Sequence, residues 1–164
     1  MTSTLYVDNL IEKTSANGVH IPGHVIQVVQ STGTNGIIYN THGAYVTTPY
    51  TSTITPKFST SKILATFSFS VLLRTNSAAS AAAGFSILRD TTRIVPTLSN
   101  AHEMFISGTS VLSGNRQNLI YLDSPNTTST TIYKLEAWLR YSGQTTEFDS
   151  RNSTWSVTLQ EIAQ

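Results

Sequence analysis

Apolar and polar side chains alternate with a period of two through most of this chain, the signature of strands with one buried face. The clearest case spans residues 62–73: Ile63, Ala65, Phe67, Phe69, Val71 and Leu73 share one side, while Lys62, Thr66, Ser68 and Ser70 share the other with Leu64 and Leu72. A second case spans 131–141, with Tyr133, Leu135, Ala137, Leu139 and Tyr141 on one side and Ile132, Lys134, Glu136, Trp138 and Arg140 on the other. That second side mixes charges with an indole and an Ile, which predicts a half-buried surface serving as a subunit contact or a binding patch. Trp155, Val157 and Leu159 restart the alternation and predict a last strand running to the C-terminal residues. Shorter runs at 25–30, 52–55, 84–89, 92–95, 103–112 and 117–122 are separated by polar turns, with a less regular extended stretch through Ile37, Ile38, Tyr39 and Tyr45 and a polar loop between Tyr141 and Trp155. Asp90-Thr91 reads as a tight hairpin turn. Short antiparallel strands at this cadence predict an all-β fold of two packed sheets, a sandwich or jelly roll, rather than an α/β enzyme domain.

Two segments need separate treatment. Ala78-Ala-Ser-Ala-Ala-Ala-Gly84 has high helix propensity, yet its setting predicts a loop running into a strand, with small side chains permitting close approach. Residues 1–24 carry only two tiny apolar runs around a Thr14-Ser-Ala-Asn-Gly18 turn, too little to bury a face alone. They are therefore read as an extended attachment segment, 1–24, preceding a β-sandwich head, 25–164. The apolar positions expected to make that attachment are Leu5, Val7, Ile11, Val19 and Ile21.

Composition narrows the functional classes. Of 164 residues, 47 are Ser or Thr and only 12% are charged, so the outer faces are hydroxyl-rich. Ten basic side chains against nine acidic ones, without clusters, give no phosphate-neutralising patch, and nucleic acid is not an expected partner. No run of about 20 apolar residues predicts a membrane span. The N-terminal residues lack the basic and apolar regions of a secretion signal, which predicts synthesis in a cytoplasm. With no Cys, disulfides and thiolate metal sites are excluded, and stability must come from the core or from association.

Catalytic chemistry is poorly represented, and no cofactor, metal or catalytic residue is expected. His20-Ile-Pro-Gly-His24 has the spacing of two ligands on a helix, but its Pro-Gly forbids the helix; only a ring of His on an assembly axis would bring these side chains together. Glu136, Glu147, Asp149 and Glu161 show no spacing that marks a glycosidase pair. Asp123-Ser-Pro-Asn126 reads as a Pro-containing turn whose Asp or Asn caps backbone amides, in preference to a calcium loop.

Five segments, taken in order, carry a resemblance that spans nearly the whole chain. They are Val7-Asp-Asn-Leu-Ile-Glu-Lys-Thr-Ser-Ala-Asn-Gly-Val-His-Ile-Pro-Gly-His-Val-Ile-Gln-Val-Val-Gln30, Ile54-Thr-Pro-Lys-Phe-Ser-Thr-Ser-Lys-Ile-Leu64, Leu88-Arg-Asp90, Tyr121-Leu-Asp-Ser-Pro-Asn-Thr-Thr-Ser129 and Leu159-Gln-Glu-Ile-Ala163. Together they resemble the tail-fibre and other virion structural proteins of tailed phages. The resemblance implies a C-terminal jelly-roll head similar to trimeric tumour-necrosis-factor-like or complement-like heads, joined to a larger particle by its N-terminal segment. It implies no catalytic residues. The expectations are a homotrimer located in the virion, bound to other tail or capsid proteins through residues 1–24, and attaching the particle to a host surface glycan. Decoration of the capsid is the alternative role. Trp138, Arg140 and Tyr141 are the expected receptor contacts, with subunit packing the competing reading.

Overall fold

Among the residues that the computed structural model describes, 9, 11, 21–76, 80–95, 103–149 and 153–164, the chain forms eleven strands and no helix. They are β1 (Val25–Gly33), β2 (Ile37–Tyr39), β3 (Tyr45–Ile54), β4 (Lys62–Thr75), β5 (Ser80–Arg89), β6 (Thr92–Val95), β7 (Glu103–Ser107), β8 (Leu112–Asp123), β9 (Thr131–Leu139), β10 (Gln144–Phe148) and β11 (Trp155–Ile162). Every pairing is antiparallel.

The longest strand organises the first sheet. One edge of β4 pairs with β8 from Ile63 to Arg74, and its other edge is shared between β11 and β10. β1 then flanks β11, and β2 flanks β10. In the second sheet the order is β3-β9-β5, with β6 and β7 dividing the far edge of β5 between them. The orders β1-β11-β4-β8 and β3-β9-β5-β6/β7 define an eight-position jelly roll, to which β2 and β10 add a flank.

The alternation read from the sequence becomes the core. Ile63, Ala65, Phe67, Phe69, Val71 and Leu73 of β4 face Tyr133, Leu135, Ala137 and Leu139 of β9 across the sandwich, all of them buried. Rings from both sheets interlock there. Tyr50 of β3 lies 5.0 Å from Trp155, and Phe85 of β5 lies 5.1 Å from Phe69 and 6.1 Å from Phe148 between centroids. Each such side chain contributes about 1.5–3 kcal/mol by leaving water.

Three local readings are corrected. The run 103–112 is not one strand, because Gly108 at φ 115° and Ser110 at φ 59° turn the chain. The buried Thr75 hydroxyl secures that turn, donating to the Gly108 carbonyl and accepting from the Val111 amide. The polar segment after Tyr141 contains β10, whose Gln144, Thr146 and Phe148 point inward and are buried. β3 is far longer than 52–55; Pro49 sits where its ladder with β9 breaks register between Thr47 and Thr51, as a residue without an N–H requires. The Ala-rich run is strand from Ser80 onward, and residues 77–79 lie outside the described ones. Asp90-Thr91 is the hairpin turn expected, with Asp90 at φ 53°.

Candidate interaction surfaces

The two outer faces of the sandwich differ in chemistry. On the β3-β9-β5 sheet, Trp138 of β9 stands opposite Tyr45 of β3, their rings 4.9 Å apart. The guanidinium of Arg93 lies 3.6 Å from the centre of the Tyr45 ring and binds Glu136 Oε2 at 2.6 Å, spanning β5. Such a bridge accounts for the burial of Ser86, which lies beside Glu136 in register and donates its hydroxyl to the Val95 carbonyl.

A second group continues this face toward the end of β9. Arg140 reaches Glu103 of β7 at 3.5 Å and lies 5.6 Å from the Tyr141 ring, which is 6.3 Å from Phe105. Phe105 is 54% exposed. The Gln144 side chain fixes the turn between β9 and β10: its carbonyl accepts from the amides of Ala82 and Tyr141, and its amide donates to the Ala82 carbonyl. In this way Gln144 replaces a missing strand neighbour of β5.

The three receptor residues expected from the sequence therefore share one end of one face, but they are not alike. Trp138 is half-buried in a contact within its own chain; Arg140 is exposed, and Tyr141 is half-buried. Sequence reasoning missed Tyr45, Arg93 and Phe105. Only Phe105, a large aromatic in a weakly patterned segment, carried a local signal. The other two are brought in by register.

On the β1-β11-β4-β8 sheet the outer face is of another kind. Register places Val28, Gln160, Leu64 and Leu122 in one row, and Gln30, Thr158, Thr66 and Ile120 in the next. No charged side chain interrupts these rows, and Val28, Ile120 and Leu122 are 57%, 60% and 46% exposed. Beyond them Arg116 of β8 crosses β4, donating to Ser68 Oγ and the Thr154 carbonyl.

Near the far end of that face lies a cleft of about 380 Å³ lined by Ser70, Leu72, Gly114, Glu147, Asp149 and Ser153, among others. Its acidic groups are engaged in structure: Glu147 pairs with Arg74, and Asp149 Oδ1 accepts from the Ser70 amide and Ser153 Oγ. Burial, reinforced by the nearby Asp149 carboxylate, pushes the Tyr50 phenol far above its ordinary range. Burial likewise raises the Tyr39 phenol, which donates to the Thr47 carbonyl.

The remaining acidic candidates are also structural. Glu161, fully buried, accepts from Gln27 Nε2 through one oxygen and from the Lys57 and Phe58 amides through the other. Both Asp123 oxygens bind Arg89 at 2.9 Å, and Oδ2 also accepts from the Tyr133 phenol at 2.7 Å. Burial, with the hydrogen bond to Asp123 added, raises the Tyr133 phenol well above its usual range. Among the described residues no three His, Asp or Glu side chains converge as they would around a metal ion.

Of the attachment positions, Leu5, Val7 and Val19 lie outside the described residues, as does His20. Ile11 is 77% exposed, and Ile21 is half-buried. Gly23 and His24 are bonded through their backbones to Ala163, which ties the entry of the chain to the end of β11.

Fold and surfaces together define a jelly-roll protein with one aromatic, ionic face and one face whose exposed apolar rows carry no charge. No protein-family model matches the chain, and no curated protein matches it. Among solved structures it is similar to a chain of the infectious bursal disease virus Gx strain, with 17% identity, a TM-score of 0.44, and coverage of 85% of this chain and 33% of that one. A T13 particle of the same virus gives 13% identity and a TM-score of 0.39 over 84% and 36% of the two chains. Dimeric latent PorU from Porphyromonas gingivalis gives 14% and 0.39 over 89% and 14%. The chain spans about a third or less of the length of these structures.

Proposed function

We propose that this chain is a non-enzymatic structural protein of a tailed-phage virion, a homotrimeric head that attaches the particle to a host surface glycan. The contrast between its two outer faces carries this reading. The uncharged rows of one face, exposing Val28, Ile120 and Leu122, suit burial against copies of itself, since no charge in them has to be desolvated. The opposite face offers Trp138, Tyr45 and Phe105 beside Arg93 and Arg140, side-chain types enriched where proteins recognise partners. Weak contacts from three such faces multiply through avidity. Residues 1–24, through Leu5, Val7, Ile11, Val19 and Ile21, join the head at 25–164 to other virion proteins. The jelly roll and the segments resembling tail-fibre proteins support the same assignment.

Antibody labelling of intact particles, read by electron microscopy, tests it. Label at the tail or fibre tips is the expected result, accompanied by loss of cell binding in Trp138→Ala at unchanged oligomer mass. Label spread over the capsid would replace attachment by decoration. Loss of the oligomer in Trp138→Ala would assign that residue to a subunit contact.

A further inference from the structure

The free edge of β8 carries the inference. This strand runs twelve residues, Leu112–Asp123, paired without a register break to β4 on one side, and no other described strand pairs with it. Exposed sheet edges are templates for pairing, and proteins that remain apart blunt them with charges, Pro, bulges or a cover. β8 uses none of the first three: it contains no Pro, its ladder has no bulge, and both of its charges are turned away. Arg116 is folded back across β4 onto Ser68 and Thr154, and Asp123 is held by Arg89 and Tyr133. Leu112, Ile120 and Leu122 are left 46%, 60% and 46% exposed along this unguarded strand.

We infer that β8 pairs antiparallel with β8 of a second copy, joining two first sheets into one continuous sheet across a two-fold axis. Charge favours a copy of the same chain over other occupants. In a register centred on Asn118, which sets residues of the same face opposite one another as a continuous sheet requires, Arg116 falls opposite Ile120 and Asp123 opposite Ser113, so no like charges meet. Full pairing would form about 12 backbone hydrogen bonds, comparable with the roughly 10 of an ordinary protein interface. Ile120 and Leu122 bring the uncharged rows of the outer face to this edge, so those rows would continue from one copy into the next. The contact needs no three-fold assembly; where trimers form, it links one trimer to another.

Two variants of the full chain test it. Asn118 is exposed near the proposed axis, so Asn118→Lys places two cations side by side only in the paired state. Sedimentation should show association weakened at least tenfold, with an unchanged far-ultraviolet spectrum and unfolding midpoint for the dissociated species. Because the chain has no Cys, oxidised Asn118→Cys should give a covalent dimer, while Asn35→Cys, exposed in the loop between β1 and β2, should not. Wild-type protein that stays trimeric without pairing further, or crosslinks at Asn35→Cys in place of Asn118→Cys, overturns the edge contact and leaves the trimer standing. A dimer abolished by Asn118→Lys with no trimer in solution supports the edge contact and removes the three-fold reading.

Discussion

Replacing Asp123 by Ala probes the end of the sandwich where both sheets are held by one carboxylate. Asp123 closes β8, Arg89 closes β5 and Tyr133 lies within β9, so the group links one strand of the first sheet to two of the second. The Asp123 side chain is 7% exposed and Arg89 26%, so the ion pair is screened less than a surface pair but more than a fully buried one. Removing the carboxylate orphans a fully buried phenol, costing about 1–3 kcal/mol, and leaves a partly buried guanidinium without its anion. Breaking a fully buried pair costs about 3–5 kcal/mol; discounting for the exposure of Arg89, Asp123→Ala should cost about 3 kcal/mol in all. Tyr133→Phe alone should cost about 1 kcal/mol, and much less in the Ala background, where the phenol has no acceptor to lose. Urea unfolding followed by tryptophan fluorescence at fixed protein concentration measures all four corners of the cycle. A cost below about 1 kcal/mol for Asp123→Ala, or an equal effect of Tyr133→Phe in both backgrounds, would refute the linkage.

The other expectations concern single contacts. Gly33→Ala would set a Cβ 2.7–2.8 Å from the Trp155 indole, an overlap that should cost about 1–3 kcal/mol and change the near-ultraviolet circular dichroism; an unaltered spectrum would contradict the contact. Glu161→Ala leaves three donors without their acceptor and should lower stability by about 2–4 kcal/mol, with faster amide exchange at Lys57 and Phe58 as the local readout. The Tyr133 phenol, raised in the folded state, stabilises fully below its unfolded value near pH 10, and that contribution is lost as pH climbs above it. Stability measured from pH 9 to 11.5 should therefore fall less steeply in Tyr133→Phe than in the wild type, by up to about 1.4 kcal/mol per pH unit; parallel curves would exclude this role.

Alternation alone determined the fold class. In β4 and β9 the period of two separates core from surface over nine residues or more, and a slip of one position would invert every side chain, so these faces admit one reading. The hairpin at Asp90-Thr91 was equally local, since it depends on which residues tolerate a tight turn. β10 was hidden because its inward positions are Gln144 and Thr146, polar side chains buried together, Gln144 bonding to Thr146 and to Ala82, remote in sequence. Tyr45 and Arg93 were invisible for the same reason. Their place beside Trp138 and Glu136 follows from β3 and β6 lying on either side of the β9-β5 pair, and long-range register leaves no mark in a single sequence. Which strands became edges was likewise a tertiary outcome. Residues 112–123 spell a strand wherever they lie, but only the order β1-β11-β4-β8 leaves their outer backbone without a neighbour among the described strands.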